Sequence, residues 1–228
     1  MKCIAHRGYS APDRPENSLA AIQAALDLGA DGIEIDLWFY QNRFWVYHDR
    51  RLPQSNNARI DTLTRAELNS VRLSNGEPLA DLYDVLRLVK GRCLLNLEIK
   101  NAGGANALAK ALDSACREHQ LTREHLILSS FNHHELFACQ QALPDIKIGV
   151  LMAGLSLDYS ACASALQAYS FNSHIDLTTP ALINDIHRRG MQSWVYTANY
   201  PEEWRELAQW RADAVFTDRT EQCLATKL

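Results

Sequence analysis

The sequence predicts a parallel α/β fold, either a closed eight-fold barrel or an open doubly wound sheet. Three observations carry this. Eight short apolar runs alternate with amphipathic stretches along the chain. Seven of the eight are apolar almost throughout, as a parallel strand covered on both faces requires. The length, 228 residues, is compatible with a compact barrel in one domain spanning residues 1–228.

The elements follow in order. Residues 2–6 form the first strand, and Pro15 marks the first turn of a helix that carries Leu19, Ile22 and Leu26 on one face. Residues 32–38 form the second strand. Residues 44–48 read as another, but only a few residues separate the two, and a parallel crossover needs about a dozen. The pair is therefore an antiparallel hairpin set apart from the main sheet, returning toward its mouth. The stretch from His48 to Leu79 is short and predicts only a small insertion over that mouth; Thr64 and Glu67 have capping-box spacing within it. Leu79, Leu82, Val85, Leu86 and Val89 form a helical stripe that Gly91 closes. Residues 93–100 form the third main strand, and Leu108, Leu112 and Cys116 the next helical stripe. Strands follow at 126–131, 147–152, 169–174, 192–197 and 214–218, the run at 169–174 being the least apolar. Thr179-Pro180 opens a helix and Gly190 closes it.

Composition narrows the function classes. With 47% hydrophobic and 22% charged residues the chain can bury a core, which excludes disorder as its main state. Mean hydropathy is −0.25 and no apolar run approaches the length of a membrane span. A net charge of −4 and a pI near 6.1 give no electrostatic footprint for nucleic acid. The six cysteines are scattered without a C-x-x-C pair and read as small buried hydrophobes. The N-terminus enters a strand pattern at once, without a signal-peptide core, so a cytoplasmic setting is expected.

Polar residues fall at the ends of apolar strands. Residues two apart share a strand face, so Glu34 and Asp36 point the same way, as do Asn96, Glu98 and Lys100. On a barrel's interior face these would converge at the C-terminal rim, where active sites lie. Buried carboxylates need partners. Glu34, Asp36 and Glu98 suit one hard divalent cation, Mg²⁺ or Ca²⁺; the alternative is that they pair with Arg7 and Lys100. His6 ends the first strand and His48 the hairpin, a pair able to act as acid and base near neutral pH. Arg7 and Lys100 add positive charge suited to phosphate. His174 closes a strand and could reach the mouth, whereas His133-His134 face solvent at a helix start.

The ordered set His6-Arg7-Gly8, Pro15-Glu16-Asn17-Ser18, Glu34-x-Asp36, His48-Asp49 and Leu97-Glu98-Ile99-Lys100 closely resembles the glycerophosphodiester phosphodiesterases. Ser129-Ser130-Phe131, Trp194 to Asn199 and Phe216-Thr217-Asp218-Arg219 are similar to later markers of that family, so the resemblance covers nearly the whole chain. It implies a TIM barrel, to which the short link after the second strand adds a short antiparallel hairpin. It also implies hydrolysis of a small-molecule glycerophosphodiester to sn-glycerol 3-phosphate and an alcohol. By the same resemblance, Glu34, Asp36 and Glu98 match metal ligands, His6 and His48 the catalytic pair, and Arg7 and Lys100 the phosphate contacts. Phe131 and Trp194 match aromatics at the glycerol end. Glu16 and Asn17 are expected to brace the His6-Arg7 turn. Residues 49–57 lack the family's Thr- and Gly-containing pattern, and Tyr196, Ala198 and Thr220 also depart from it. His6 is favoured as base and His48 as acid, and either water or a glycerol hydroxyl could attack. A lyase that stops at a cyclic phosphate, or a barrel that only binds, are the competing readings.

Overall fold

The structure, a computed structural model, describes residues 1–119 and 121–226. Eight parallel strands close into a barrel: β1 (Lys2–Ala5), β2 (Gly32–Tyr40), β6 (Leu94–Ile99), β7 (Leu126–Ser130), β8 (Lys147–Met152), β9 (Ser170–His174), β10 (Gln192–Tyr196) and β11 (Ala214–Thr217). Pairing of β1 with both β2 and β11 shuts the ring. Between them, β3 (Arg43–Val46) pairs antiparallel with β2, and β4 (Arg51–Leu52) with β5 (Ala58–Arg59). The expected hairpin is thus the β2–β3 pair.

The helices are α1 (Leu19–Asp27), α2 (Arg65–Ser70), α3 (Leu82–Val89), α4 (Ala105–His119), α5 (His133–Ala142), α6 (Ala161–Ser164), α7 (Pro180–Arg188), α8 (Pro201–Gln209) and α9 (Thr220–Ala225). Their caps are mostly local. Thr64 and Glu67 form the capping box of α2. Thr179 caps α7 ahead of Pro180. The first helix departs from expectation: it starts at Leu19 with Ser18 as N-cap, four residues past Pro15. Asn17 takes a left-handed φ of 60°, which breaks the helical path and turns its amide toward β2.

The strands bury two faces. Outward side chains such as Ile33, Ile35, Leu95, Leu97 and Leu128 pack beneath the helices in the main core. Inward side chains stack in layers. Ile4, Ile127, Trp194, Ala214 and Phe216 form an apolar cluster inside the barrel, with Phe216 reaching the mouth cavity. A polar layer is interleaved with them, in which Asn96 donates to Ser129 and Ser170 to Asn172, both at 2.8 Å. Gly149 makes room for it, since a Cβ there would sit 3.0 Å from Ser170 Oγ. This layer explains the weak apolar signal of β9, whose inward residues are Ser170, Asn172 and His174. Glu34 is in register with Asn96 of this layer, and Asp36 and Glu98 are one inward position further along β2 and β6.

The insertion between β3 and α3 does not cover the mouth. Its Leu52, Ile60, Leu68, Val71 and Leu73 pack beside the hairpin on Trp38 and Trp45. Large aromatic surfaces on the hairpin draw it there.

Away from the mouth, Asp185 of α7 ties the segment before α6 to the barrel. It accepts from Ser160 Oγ at 2.8 Å and Arg189 Nε at 2.9 Å. Burial pushes its carboxyl up, but hydrogen bonds from Arg189, Ser160 and Arg188 outweigh this and hold it well below the usual range. Asp185→Ala is expected to cost about 2–4 kcal/mol at neutral pH. A depressed carboxyl stabilises above its unfolded pKa and loses that contribution as pH falls. The deficit of the variant, read by urea unfolding, should therefore shrink toward about pH 3; a deficit independent of pH would contradict this.

Candidate active site

The polar cluster at the barrel mouth is assembled from strand ends. β2 and β6 are in register with Glu34 beside Asn96 and Asp36 beside Glu98. Period-two alternation puts Glu34, Asp36 and Glu98 on the inner face, and one oxygen from each lies within 4.8 Å of the others. β1 brings His6 to the rim, and Arg7 follows at a left-handed φ of 57°. That turn aims the Arg7 amide at Glu34 Oε2, 3.0 Å away. β3 hooks back through the Tyr47 amide onto Asp36 O, and Trp38 Nε1 donates to His48 O. The hairpin thereby delivers His48 to the same mouth.

His6, Arg7, Glu34, His48, Glu98, Lys100 and Phe131 all line one cavity of about 230 Å³. Asp36 lies just beneath, bonded to Lys100 at 3.1 Å and to the Asn17 amide at 2.8 Å. Trp194 is not brought there. It faces inward as its spacing implies, but one layer too low, fully buried against Phe216. Tyr196, two residues on, takes the rim position. His174 also lines the cavity, edge-on to Tyr196. Glu16 braces Arg7 at 2.9 Å, and Asn17 N donates to Arg7 O at 2.9 Å. His133 does not simply face solvent; its Nε2 lies 3.0 Å from Leu151 O.

The electrostatics are those of a crowded anionic cluster. Burial, then the charges of Asp36 and Glu98, hold Glu34 well above the ordinary carboxylate range. Burial and Asp36 also raise Glu98, against the pull of Lys100. Burial pushes Asp36 up too, but Lys100, Arg7 and the Asn17 amide outweigh it and hold Asp36 low. Burial works against the charge of Arg7 and Lys100, and the neighbouring carboxylates more than restore it. The ion-pair reading of the carboxylates holds in part: Lys100 pairs with Glu98 at 2.6 Å and Arg7 Nε lies 3.4 Å from Asp36. Two cations still leave three carboxylates short by one charge. Glu34 Oε1 is buried with no hydrogen-bond partner among the described residues. An orphaned carboxylate oxygen in an all-oxygen donor set fits a hard divalent cation.

Two residues that carry no role in the sequence reading sit behind the histidines. Asp218 Oδ1 is 2.7 Å from His6 Nδ1, and Asn199 Nδ2 donates to Asp218 Oδ2 at 2.7 Å. Asp49 Oδ1 is 2.8 Å from His48 Nδ1. Asp49 adjoins its histidine in sequence; Asp218 lies 212 residues from His6, so only barrel closure reveals it.

Comparison with known proteins agrees with this geometry. The sequence model of the Glycerophosphoryl diester phosphodiesterase family matches residues 6–222. A glycerophosphodiester phosphodiesterase of Caldanaerobacter subterraneus subsp. tengcongensis is 29% identical over 96% of this chain and 94% of its own. A glycerophosphodiester phosphodiesterase structure from Parabacteroides distasonis superposes with a TM-score of 0.85 at 26% identity, covering 98% of this chain and 95% of that one. An Oleispira antarctica phosphodiesterase, solved with its product sn-glycerol-3-phosphate, has the same fold, with a TM-score of 0.87 at 23% identity over 99% and 96% of the two chains.

Proposed function

The chain belongs to the glycerophosphoryl diester phosphodiesterase family, and from that premise we propose that it hydrolyses a glycerophosphodiester to sn-glycerol 3-phosphate and an alcohol with the help of one divalent cation. The observation that carries this is the meeting of three carboxylates, two cations and two histidines on one barrel mouth. That mouth pairs anion-binding charge with groups able to move a proton, as phosphodiester cleavage requires.

Glu34, Asp36 and Glu98 would hold the cation. When bound, it supplies positive charge to the phosphate oxygens as negative charge builds there. Lys100 and Arg7 share that task as fixed donors on rigid strand ends, with little reorganisation during reaction. Burial excludes water from the carboxylates and strengthens each of these contacts. One histidine takes the proton of the attacking hydroxyl, and the other gives a proton to the departing alkoxide. Phe131 and Tyr196 wall the cavity with aromatic surface suited to the carbon face of glycerol. The product bound to the related Oleispira phosphodiesterase supports glycerol 3-phosphate as the product here.

The test is release of glycerol 3-phosphate from glycerophosphocholine and glycerophosphoethanolamine with Mg²⁺, with Ca²⁺ and with EDTA. Release should require a cation, and His6→Ala should lower it by about 10²–10⁴-fold. Accumulation of a cyclic phosphate, seen by phosphorus NMR, would instead favour the lyase. Binding without any turnover would overturn the proposal.

A further inference from the structure

The two histidines each have a carboxylate on Nδ1, but the pairings are built differently. Both carboxylates are exposed, Asp49 at 60% on the hairpin arm and Asp218 at 48%, and the difference lies in what holds them. Asp218 is clamped. Its Oδ2 accepts from Asn199 Nδ2 at 2.7 Å, and its own amide donates to Asn199 Oδ1 at 2.8 Å. Thr217 Oγ1 donates to the same Asn199 oxygen at 3.1 Å. The Asn199 amide in turn donates to Glu203 Oε2 at 2.7 Å, at the start of α8. A continuous hydrogen-bonded path thus runs from α8 through Asn199 and Asp218 to His6. Both oxygens of Asp218 are committed by it, so the carboxylate has one orientation. Burial pushes Asp218 up, but the hydrogen bonds from His6 and Asn199 hold it below the usual range, so it stays an acceptor.

We propose that Asp218, gripped by Asn199, is the positioning residue for His6: it takes the Nδ1 proton in a hydrogen bond and leaves the Nε2 lone pair aimed into the cavity. A neutral imidazole has one N–H, and the partner of one nitrogen decides the state of the other. His6 Nε2 lies toward the carboxylate cluster, 4.0 Å from Glu34 Oε2. The inference rests on the hydrolase reading and adds which histidine is the base. The attacking hydroxyl gives its proton to His6 Nε2 as its oxygen bonds to phosphorus. The bond from phosphorus to the leaving oxygen breaks with its electron pair, and that oxygen takes a proton from His48. Asp218 stabilises the imidazolium that forms on His6 without accepting its proton. Asp49, the partner of His48, has no such clamp among the described residues.

The test uses the full chain with the cation that supports wild-type turnover. Asp218→Asn should lower kcat by about 10²–10⁴-fold, with KM changed by less than about threefold. Asn199→Ala should lower kcat by roughly 10-fold, with KM likewise little changed. Nitrogen-15 NMR of the imidazole rings should show His6 protonated on Nδ1 in the wild type and on Nε2 in Asp218→Asn. A kcat for Asp218→Asn within about threefold of wild type would overturn the proposal; so would a wild-type His6 protonated on Nε2. Should Asp218→Asn fail to fold, the wild-type spectrum and Asn199→Ala decide. If the wild type releases no glycerol 3-phosphate, the hydrolase reading has failed, while the spectrum still decides the positioning on its own.

Discussion

Glu34→Gln is expected to lose phosphodiester turnover by about 10³-fold or more, while the chelator-treated variant melts at a higher temperature than the chelator-treated wild type. Both effects have one cause. Glu34 is 2% exposed, one of its oxygens has no partner among the described residues, and two further carboxylates lie beside it. Without a cation, burial and the neighbouring carboxylates oppose its ionised form, and that opposition is a cost to the fold. The amide keeps the shape, still accepts from the Arg7 amide, and offers donors to its acidic neighbours. It removes the repulsion and the ligand together. A gain of about 1–3 kcal/mol is reasonable for relieving a strained functional site, or roughly 2–12 °C in Tm for a chain of this size. Thermal melts with EDTA and with Mg²⁺ check it. The wild type should gain Tm on adding the cation and the variant should not. A variant that melts below the wild type in EDTA would mean that the carboxylates are an ion-pair network that stabilises the fold, with no need of metal.

Gly8→Ala carries the second large effect, on stability first and on activity through it. Gly8 has φ of +83°, and a Cβ there would lie 2.7 Å from Ala21 C and 2.9 Å from Ala21 O and Ile22 N. These are backbone atoms of α1 and cannot swing aside. The left-handed conformation costs roughly 1–2 kcal/mol for a residue with a side chain, and overpacking adds about 1–3. The sum, about 2–5 kcal/mol, corresponds to roughly 4–20 °C in Tm. Gly76 provides the control. It has φ of +86°, and a Cβ there would meet nothing within 4 Å, so Gly76→Ala carries only the conformational cost. Equal losses for the two substitutions would show that the close approach of the Gly8 turn to α1 contributes nothing. Because Gly8 anchors the turn that carries His6 and Arg7, turnover should fall further than the loss of folded protein accounts for.

The site was readable to the extent that strand periodicity controls it. Alternation on β2 and β6 places Glu34, Asp36 and Glu98 on one face, and adjacent register then brings them within reach. The short link between β2 and β3 forced a hairpin and so brought His48 back to the mouth. Height along the barrel was not readable in this way. Trp194 and Tyr196 share a face of β10, and the pattern cannot say which stands at the rim. That depends on the stagger of β10 against β9 and β11, a property of the closed sheet. The start of α1 was misplaced for a related reason: Pro15 is compatible with a first turn, but Asn17 is needed for Asp36 and leaves the helical path to reach it.

What the sequence by itself determined is the eight barrel strands and the hairpin strand, the faces their residues take and the chemistry gathered on the inner face. Each follows from interactions a few residues long: alternation, capping, and the steric limits of a short connection. What only the tertiary structure decided is which of the open and closed sheets forms, how deep each inward residue sits, where the insertion packs, and that Asp218 meets His6. Closure of the ring, and with it the meeting of Asp218 and His6, depends on β1 pairing with β11 from the far end of the chain. Contacts between residues as far apart as His6 and Asp218 leave no period in the sequence, because no local geometry links them until the ring is shut.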